Sequence, residues 1–306
     1  MNRTLKALII GGSICLLGLI VFLVGYYKND KNLGDIFVFE QEEKSESVEV
    51  IYTAKNPASI DFVMVSTKKT PIEIYTHDKN FIQIEYKEND NMTFELTESK
   101  NKLILKRNPE TFFKEHVLDP LVNLVLKEED EKIVLHIPSS YTGELLVSTS
   151  NGDINISQNM AFKAIKKLDL KNAFGSINIH TLSGNILNIA SNRGDITCRD
   201  VRFNNTNLIA NNSKVSLEYL QSPSLNFIID NSNLNMQKVM ADNIKASVHK
   251  SDFVLNISDY RSLFSVNITS SKSIVNLENK FVENSNKVID MTVSDSTIDI
   301  SFMDKK

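Results

Sequence analysis

Apolar residues in the C-terminal half of the chain recur with a period of 19 residues. Three columns of positions keep this spacing over five copies. The columns are Leu170, Ile189, Leu208, Phe227 and Ala246; Ile177, Ile196, Val215, Leu234 and Phe253; and Ile179, Cys198, Leu217, Met236 and Leu255. A fixed short period is typical of repeat architectures in which neighbouring units share one core.

Each copy of the repeat predicts a strand, a turn and a second strand. An apolar residue is followed seven positions later by an apolar-x-apolar pair, with polar residues between them. Because side chains alternate along a strand, the pair points inward. The residues expected to point outward are Asn178, Thr197, Ser216 and Asn235.

Earlier and later copies, around Val147, Ile268 and Met291, keep the internal spacing with longer linking turns. The fold class predicted is therefore all-β. Residues 141–306 form a β-solenoid of about eight rungs, a parallel β-helix-like coil on the order of 40 Å long. A sandwich would not require such uniform columns, and the period is short for a four-stranded propeller blade.

The phrases "SNGDINIS", "AFGSINIH" and "SNRGDITCRD", which begin at Ser150, Ala173 and Ser191, predict the corners of the coil. Asn, Asp and Gly accept turn conformations that other residues resist. Stacked Asn and Ser side chains at such corners can form hydrogen bonds from rung to rung.

Residues 48–140 read as a β-rich N-terminal region, with six half-buried strands by Arg107. The segment from Pro109 to Glu131 breaks the alternation and carries an apolar run of six residues. That run is too short to span a bilayer. We expect a loop or hairpin packed on the domain; a membrane-dipping element is the alternative.

The N-terminus predicts one transmembrane helix. Residues 7–25 carry no charge, and Tyr26 and Tyr27 would lie at the far interface. The expected organisation is a cytoplasmic tail (1–6), a signal anchor (7–27) and a juxtamembrane stalk (28–47). A cleaved signal peptide is the competing interpretation, but no small-x-small cleavage site follows Val24.

Composition argues against several classes of function. A formal net charge of −4 provides no global field for a polyanion, so no nucleic-acid partner is expected. Cys15 and Cys198 are not expected to meet. The histidines show no metal-ligand spacing, and each is interpreted as a surface or strand residue: His77, His116, His136, His180 and His249.

No catalytic, cofactor-binding or metal-binding residue is predicted. The outward column Ser176, Asp195, Lys214, Asn233 and Asp252 carries two aspartates three rungs apart, about 14 Å, too far for a glycosidase pair. Arg193, Gly194 and Asp195 match an integrin-binding tripeptide. The predicted turn at this corner already explains Gly194 and Asp195, so we interpret the match as a coincidence.

The stretches "IVLHIPSSYTGELLVSTSNGDI" and "SGNILNIASNRGDI" resemble the putative-adhesin domain-of-unknown-function family, which includes LiaG-like membrane proteins of Gram-positive bacteria. The resemblance covers residues 48–300 and implies a cell-envelope location, a solenoid fold and an accessory role in envelope-stress signalling. It carries over no functional residue.

Two functional hypotheses follow. The first is a single-pass cell-membrane protein whose extracytoplasmic solenoid is not an enzyme and binds or scaffolds an envelope protein or glycan. The alternative is a carbohydrate-active enzyme or lectin that acts on cell-wall glycans with one solenoid face. In both hypotheses the protein is anchored in the cell membrane through residues 7–27.

Overall fold

The computed structural model describes residues 47–89, 92–108, 131–156, 165–277, 281–283 and 285–303, which contain β-strands and two short 3-10 helices, Pro57–Ser59 and Arg261–Leu263. The first strands are β1 (Val48–Thr53), β2 (Phe62–Ser66), β3 (Ile72–His77), β4 (Gln83–Glu88), β5 (Phe94–Ser99), β6 (Lys102–Arg107) and β7 (Ile133–Pro138). There follow β8 (Glu144–Thr149), β9 (Ile154–Ile156), β10 (Ile165–Asn172), β11 (Ile177–Ser191), β12 (Ile196–Asn211), β13 (Lys214–Gln221) and β14 (Ser224–Asp230). The last are β15 (Asn233–Val239), β16 (Asn243–His249), β17 (Asp252–Tyr260), β18 (Phe264–Ser271), β19 (Ile274–Val275), β20 (Lys287–Ser294) and β21 (Thr297–Met303).

The strands form two hydrogen-bonded ladders. The long strands β11 and β12 each contribute one half to each ladder and so join the two at a corner. In spatial order, ladder 1 contains β5, β6, β2, β8, β10, the second half of β11, the second half of β12, β14, β16, β20 and β18. In spatial order, ladder 2 contains β1, β4, β7, β3, β9, the first half of β11, the first half of β12, β13, β15, β17, β21 and β19. Each rung of the solenoid consists of one strand from ladder 1 and one strand from ladder 2.

The rungs are parallel, and their register confirms the 19-residue period. Leu170 lies beside Ile189, Ile189 beside Leu208 and Leu208 beside Phe227. The predicted inward columns belong to one continuous buried core. Antiparallel pairing occurs only at the N-terminal end of the described stack, where β1, β4 and β5 extend the two ladders.

The spatial order of the rungs departs from chain order at both ends. The rung of β20 and β21 lies between the rung of β16 and β17 and the rung of β18 and β19. Likewise, the rung of β2 and β3 lies between two other rungs, one formed by β6 and β7 and the other by β8 and β9. The first and last rungs of the chain are thus enclosed by neighbours on both sides.

A column of serines lines the corner of the later rungs and follows this spatial order. The backbone N–H of each serine donates to the next hydroxyl at 2.9–3.2 Å. The order is Ser213, Ser232, Ser251, Ser296 and Ser273. Each hydroxyl also donates to the carbonyl two residues earlier, at 2.6–2.8 Å. The expected rung-to-rung hydrogen bonding at the corners is confirmed.

The predicted anchor at residues 7–27 and most of the segment from Pro109 to Glu131 lie outside the described residues. Within the part of the chain that is described, no helix has the length and apolar character needed to cross a membrane. Residues 47–306 form one compact unit, and its described strands on both sides of residue 141 belong to the same stack.

Candidate functional site

Polar and aromatic side chains meet on the outer surface of ladder 2, where β4, β7 and β3 are neighbours. Gln83 of β4 lies opposite His136 of β7, which lies opposite Tyr75 of β3. In the next row Glu85 and Glu73 lie on either side of Val134. The set Glu73, Tyr75, Gln83, Glu85, Lys132 and His136 is called the Tyr75 patch here.

Strand alternation places these residues outside. Ile72, Ile74, Ile84, Ile133 and Leu135 are fully buried in the core. Because successive side chains point to opposite faces, the residues between them must point outward. The sequence of each strand therefore selects the face, while the pairing of the three strands brings the side chains together.

Aromatic rings form the centre of the patch. The rings of Tyr75 and His136 are stacked with centroids 5.7 Å apart and planes at 23°. Next to them, His77 is stacked on Phe81 at 4.2 Å and lies 6.5 Å from His136. Tyr75 is 36% exposed, so part of its ring is open to a ligand.

Two carboxylates flank the rings, and each accepts hydrogen bonds from its neighbours. Tyr75 Oη and Lys132 Nζ both donate to Glu73 Oε2 at 2.8 Å. Gln83 Nε2 donates to Glu85 Oε1 at 2.7 Å, and His136 Nε2 lies 3.2 Å from the same oxygen. These contacts fix both carboxylates before any ligand arrives.

The electrostatics keep Glu73 ionised. Burial alone would raise its pKa, but the hydrogen bonds from Lys132 and Tyr75 outweigh burial and hold the pKa below its ordinary value. The same bond to Glu73 raises the pKa of Tyr75. Burial and repulsion from His136 lower the pKa of His77, which favours a neutral imidazole.

The patch can recognise a ligand that combines an apolar ring face with hydroxyl groups. Aromatic rings offer apolar surface with defined geometry. Ionised carboxylates are strong acceptors for hydroxyl donors, and the amide of Gln83 offers both a donor and an acceptor. A saccharide presents both kinds of group.

Sequence reasoning missed this patch, because it interpreted the histidines as scattered residues. Only the alternation in "IEIYTH", "QIEY" and "IVLHI" gave a signal, since it marks Glu73, Tyr75, Glu85 and His136 as outward. His180 lies on another rung, and His249 Nδ1 lies 2.8 Å from Ser294 Oγ. His116 lies outside the described residues.

The structure also gives the surroundings of the other positions singled out in the sequence. By the register of the neighbouring strands, Asp195 and Asp252 belong to one column, separated by the rungs of Lys214 and Asn233. The guanidinium of Arg193 packs over the ring of Phe174 at 5.3 Å. Cys198 is buried, and burial raises the pKa of its thiol to about 12. Across the described ranges, no three His, Cys, Asp or Glu side chains are grouped to hold a metal ion.

A solved structure shares the fold of this chain. A protein from Bacteroides fragilis described as a putative adhesin aligns with a TM-score of 0.50 at 13% identity, over 83% of this chain and 97% of its own. A protein from Parabacteroides distasonis described as a putative lipid binding protein aligns at 0.42 and 15% identity, over 84% and 98%. None of the curated proteins compared with the chain matches it in sequence.

The sequence model of the family described as Toastrack DUF4097 matches residues 59–301, most of the chain. This match spans the two stretches that carried the resemblance to the putative-adhesin domain-of-unknown-function family, and it confirms that resemblance. The chain belongs to the Toastrack DUF4097 family.

Proposed function

We propose that this protein is a non-enzymatic, adhesin-like binding protein of the bacterial cell envelope, and that the Tyr75 patch binds a saccharide of the cell wall. The observation that carries the proposal is the stacked, partly exposed pair of Tyr75 and His136 between two hydrogen-bonded carboxylates. The names of the structural neighbours, adhesin among them, agree with a binding role.

A single membrane helix at residues 7–27 would hold the solenoid outside the cell, where wall glycans are found. The LiaG-like resemblance suggests a further accessory role in envelope-stress signalling, in which glycan contact would be the input. Both statements are part of the proposal and rest on the sequence.

The lowered pKa of Glu73 supports binding over hydrolysis. Glycoside hydrolysis requires one carboxylic acid that stays protonated until it donates to the leaving group. Glu73 is held ionised by Lys132 and Tyr75, so it is unsuited to that role. We therefore expect the patch to bind a glycan without cleaving it.

The test is binding of purified full-length protein in detergent micelles to cell-wall glycan fragments, measured by calorimetry. Tyr75→Ala and His136→Ala should each weaken binding about tenfold, a loss of about 1.4 kcal/mol. His180→Ala, which changes a histidine in the same outward column on another rung, should leave the affinity unchanged. Absence of binding by the wild-type protein would refute the proposal, and release of new reducing ends would favour a glycosidase.

A further inference from the structure

The two carboxylates of the Tyr75 patch lie on either side of a gap in which an apolar side chain is partly exposed. Glu73 and Glu85 flank Val134 in one row across β3, β7 and β4, and Val134 is only partly buried. Two strand spacings separate the Cα atoms of the two glutamates by about 10 Å. The next row contains the stacked rings of Tyr75 and His136. A single sugar ring can therefore lie on Val134 and present one edge to each carboxylate.

Each of these carboxylates keeps one oxygen that accepts no hydrogen bond from the described residues. Both hydrogen bonds accepted by Glu73 end on its Oε2, and both contacts of Glu85 involve its Oε1. The side chains are partly accessible, at 23% for Glu73 and 31% for Glu85. Since each carboxylate oxygen has its own lone pairs, Glu73 Oε1 and Glu85 Oε2 can accept donors from a ligand.

The patch carries more negative than positive charge. Among its six residues, Glu73 and Glu85 are acidic and Lys132 is the one permanently charged base. Lys132 Nζ lies 2.8 Å from Glu73, so Glu73 already has a cationic partner. The corresponding contact of Glu85 is with His136 Nε2, which is charged only when protonated. With a neutral His136, Glu85 is the carboxylate of the patch that has no cationic partner there.

The charges around the patch balance one another. The nearest positions on the flanking strands β1 and β9 are uncharged, namely Ile51, Thr53 and Asn155. Further out, the basic residues have acidic counterparts at the same border: Lys87 with Glu49, Lys79 with Asp78, and Lys68 and Lys69 with Glu131 and Asp153. The surroundings therefore leave the negative charge of the patch in place.

A protonated amine fits this arrangement better than a neutral or an acidic group. An ammonium group has three donors and no acceptor, and its hydrogen bonds to a carboxylate are roughly twice as strong as those of a neutral donor. The face of a tyrosine ring also attracts cations, and Tyr75 is 36% exposed. An acetylated nitrogen has lost this charge, and an acidic sugar would be repelled by Glu85.

We infer that the Tyr75 patch selects amino sugars with a free amine, whose ammonium group binds Glu85 while a hydroxyl group on the opposite edge of the ring donates to Glu73. The inference rests on the proposed function, because it assumes that the patch binds a saccharide of the cell wall. It adds the class of sugar, one whose nitrogen carries no acetyl group. Glu85 is then the residue that determines specificity, and Glu73 is held in place by Lys132 and Tyr75.

Calorimetry with three tetrasaccharides tests the selection. The full-length protein is held at neutral pH in an uncharged detergent without a sugar headgroup. A glucosamine tetramer should bind about tenfold more tightly than an N-acetylglucosamine tetramer, a difference of about 1.4 kcal/mol. A galacturonic acid tetramer should bind more weakly than either. Equal affinities for the amino and acetylated tetramers would overturn the inference and leave the proposed saccharide site intact, whereas no binding of any tetramer would refute the proposed function as well.

Removal of one charge tests the role of Glu85. Glu85→Gln keeps the shape of the side chain and should weaken binding of the glucosamine tetramer about tenfold, while the affinity for the acetylated tetramer stays within about twofold. Glu218→Gln, on β13 of the same ladder, is the matched control and should leave both affinities unchanged. Thermal unfolding checks that both variants are folded. The inference is wrong if Glu85→Gln retains the preference, if the folded variant loses both ligands, or if Glu218→Gln has the same effect.

Discussion

At the residue scale, the corner glycines are required by close approach of the chain. No glycine in the described residues has a positive φ, so the expectation that Gly supplies a special turn conformation was wrong for these positions. A Cβ at Gly175 would lie 2.2 Å from the carbonyl oxygen of Gly152, and one at Gly194 would lie 1.7 Å from that of Gly175. The rungs stack there backbone on backbone.

Left-handed backbone occurs instead at non-glycine residues that repeat from rung to rung. Thr181, Asp200, Tyr219 and Lys238 form one such column. A second column contains Asn212, Asn231, Lys250, Asp295 and Lys272. Asn and Asp tolerate this region better than other residues, whereas Tyr and Lys are held there by the surrounding stack.

Gly194→Ala should destabilise the solenoid by about 1–3 kcal/mol, because the added methyl group forces backbone apart in a packed interior. The free energy of unfolding from urea titration is the measurement. Asn192→Ala, on the exposed side of the same corner, should change it by no more than about 0.5 kcal/mol. Equal effects of the two substitutions would contradict the close-approach argument.

Acidification should weaken the fold through His77. Its pKa is lowered in the folded state from 6.5, so the unfolded chain binds more protons as the pH falls below that value. The stability is fully present above pH 6.5 and declines as the pH falls through the folded pKa.

Unfolding free energies at several pH values between about 7.5 and 5.5 check this, since that range lies above the window in which Glu73 titrates. His77→Gln should flatten the pH dependence of the unfolding free energy. A wild-type slope that persists in His77→Gln would assign the effect to other groups.

At the element scale, the exchange of the last two rungs has a local cause. The spacing from Ala246 to Ile268 is 22 residues instead of 19. The extra length lies where the register of β17 shifts and the 3-10 helix Arg261–Leu263 follows. The extra length allows β18 and β19 to form one rung further along the stack, and β20 and β21 then occupy the position between them and the rung of β16 and β17.

Lys287 secures the inserted rung, since its Nζ lies 2.9 Å from Asp242 and 2.8 Å from Asp259. Backbone exchange tests the insertion. Because β20 is hydrogen-bonded to β16 and to β18, its amides should exchange as slowly as those of β16, despite their position near the C-terminus.

Hydrogen exchange followed by mass spectrometry, with peptides that cover residues 287–294 and 243–249, is the measurement. A last rung stacked at the end of the coil would instead exchange much faster than β16 through fraying. Fast exchange of β20 would therefore refute the inserted order.

At the scale of the whole molecule, the proposed orientation can be tested in cells. Protease added to intact cells, after the wall has been removed, should cut in the stalk at residues 28–47 and release the solenoid as one resistant fragment. Permeabilised cells should give the same fragment. A solenoid that is reached only after permeabilisation would place it on the cytoplasmic side and refute the envelope proposal.

The Tyr75 patch shows why the site was harder to predict than the fold. Glu73 and Tyr75 belong to β3, while His136 belongs to β7, about sixty residues later in the chain. Alternation within each strand indicates which side chains face outward. It does not indicate which strands are neighbours, because β7 pairs with β3 only as a result of the exchanged order at that end.

The sequence by itself determined the period, the parallel coil and the inward columns, because each depends on a local alternation that repeats every 19 residues. It also marked the polar corners, although it assigned the wrong reason to their glycines. Only the tertiary structure decided the order of the terminal rungs. Ile268 and Met291 are equally apolar and fit the same column, so burial alone does not distinguish their places. The order at this end depends on linker length and on hydrogen bonds between strands distant in the chain. The exchanged order at the opposite end, which brings Tyr75 beside His136, likewise depends on pairing between strands distant in the chain.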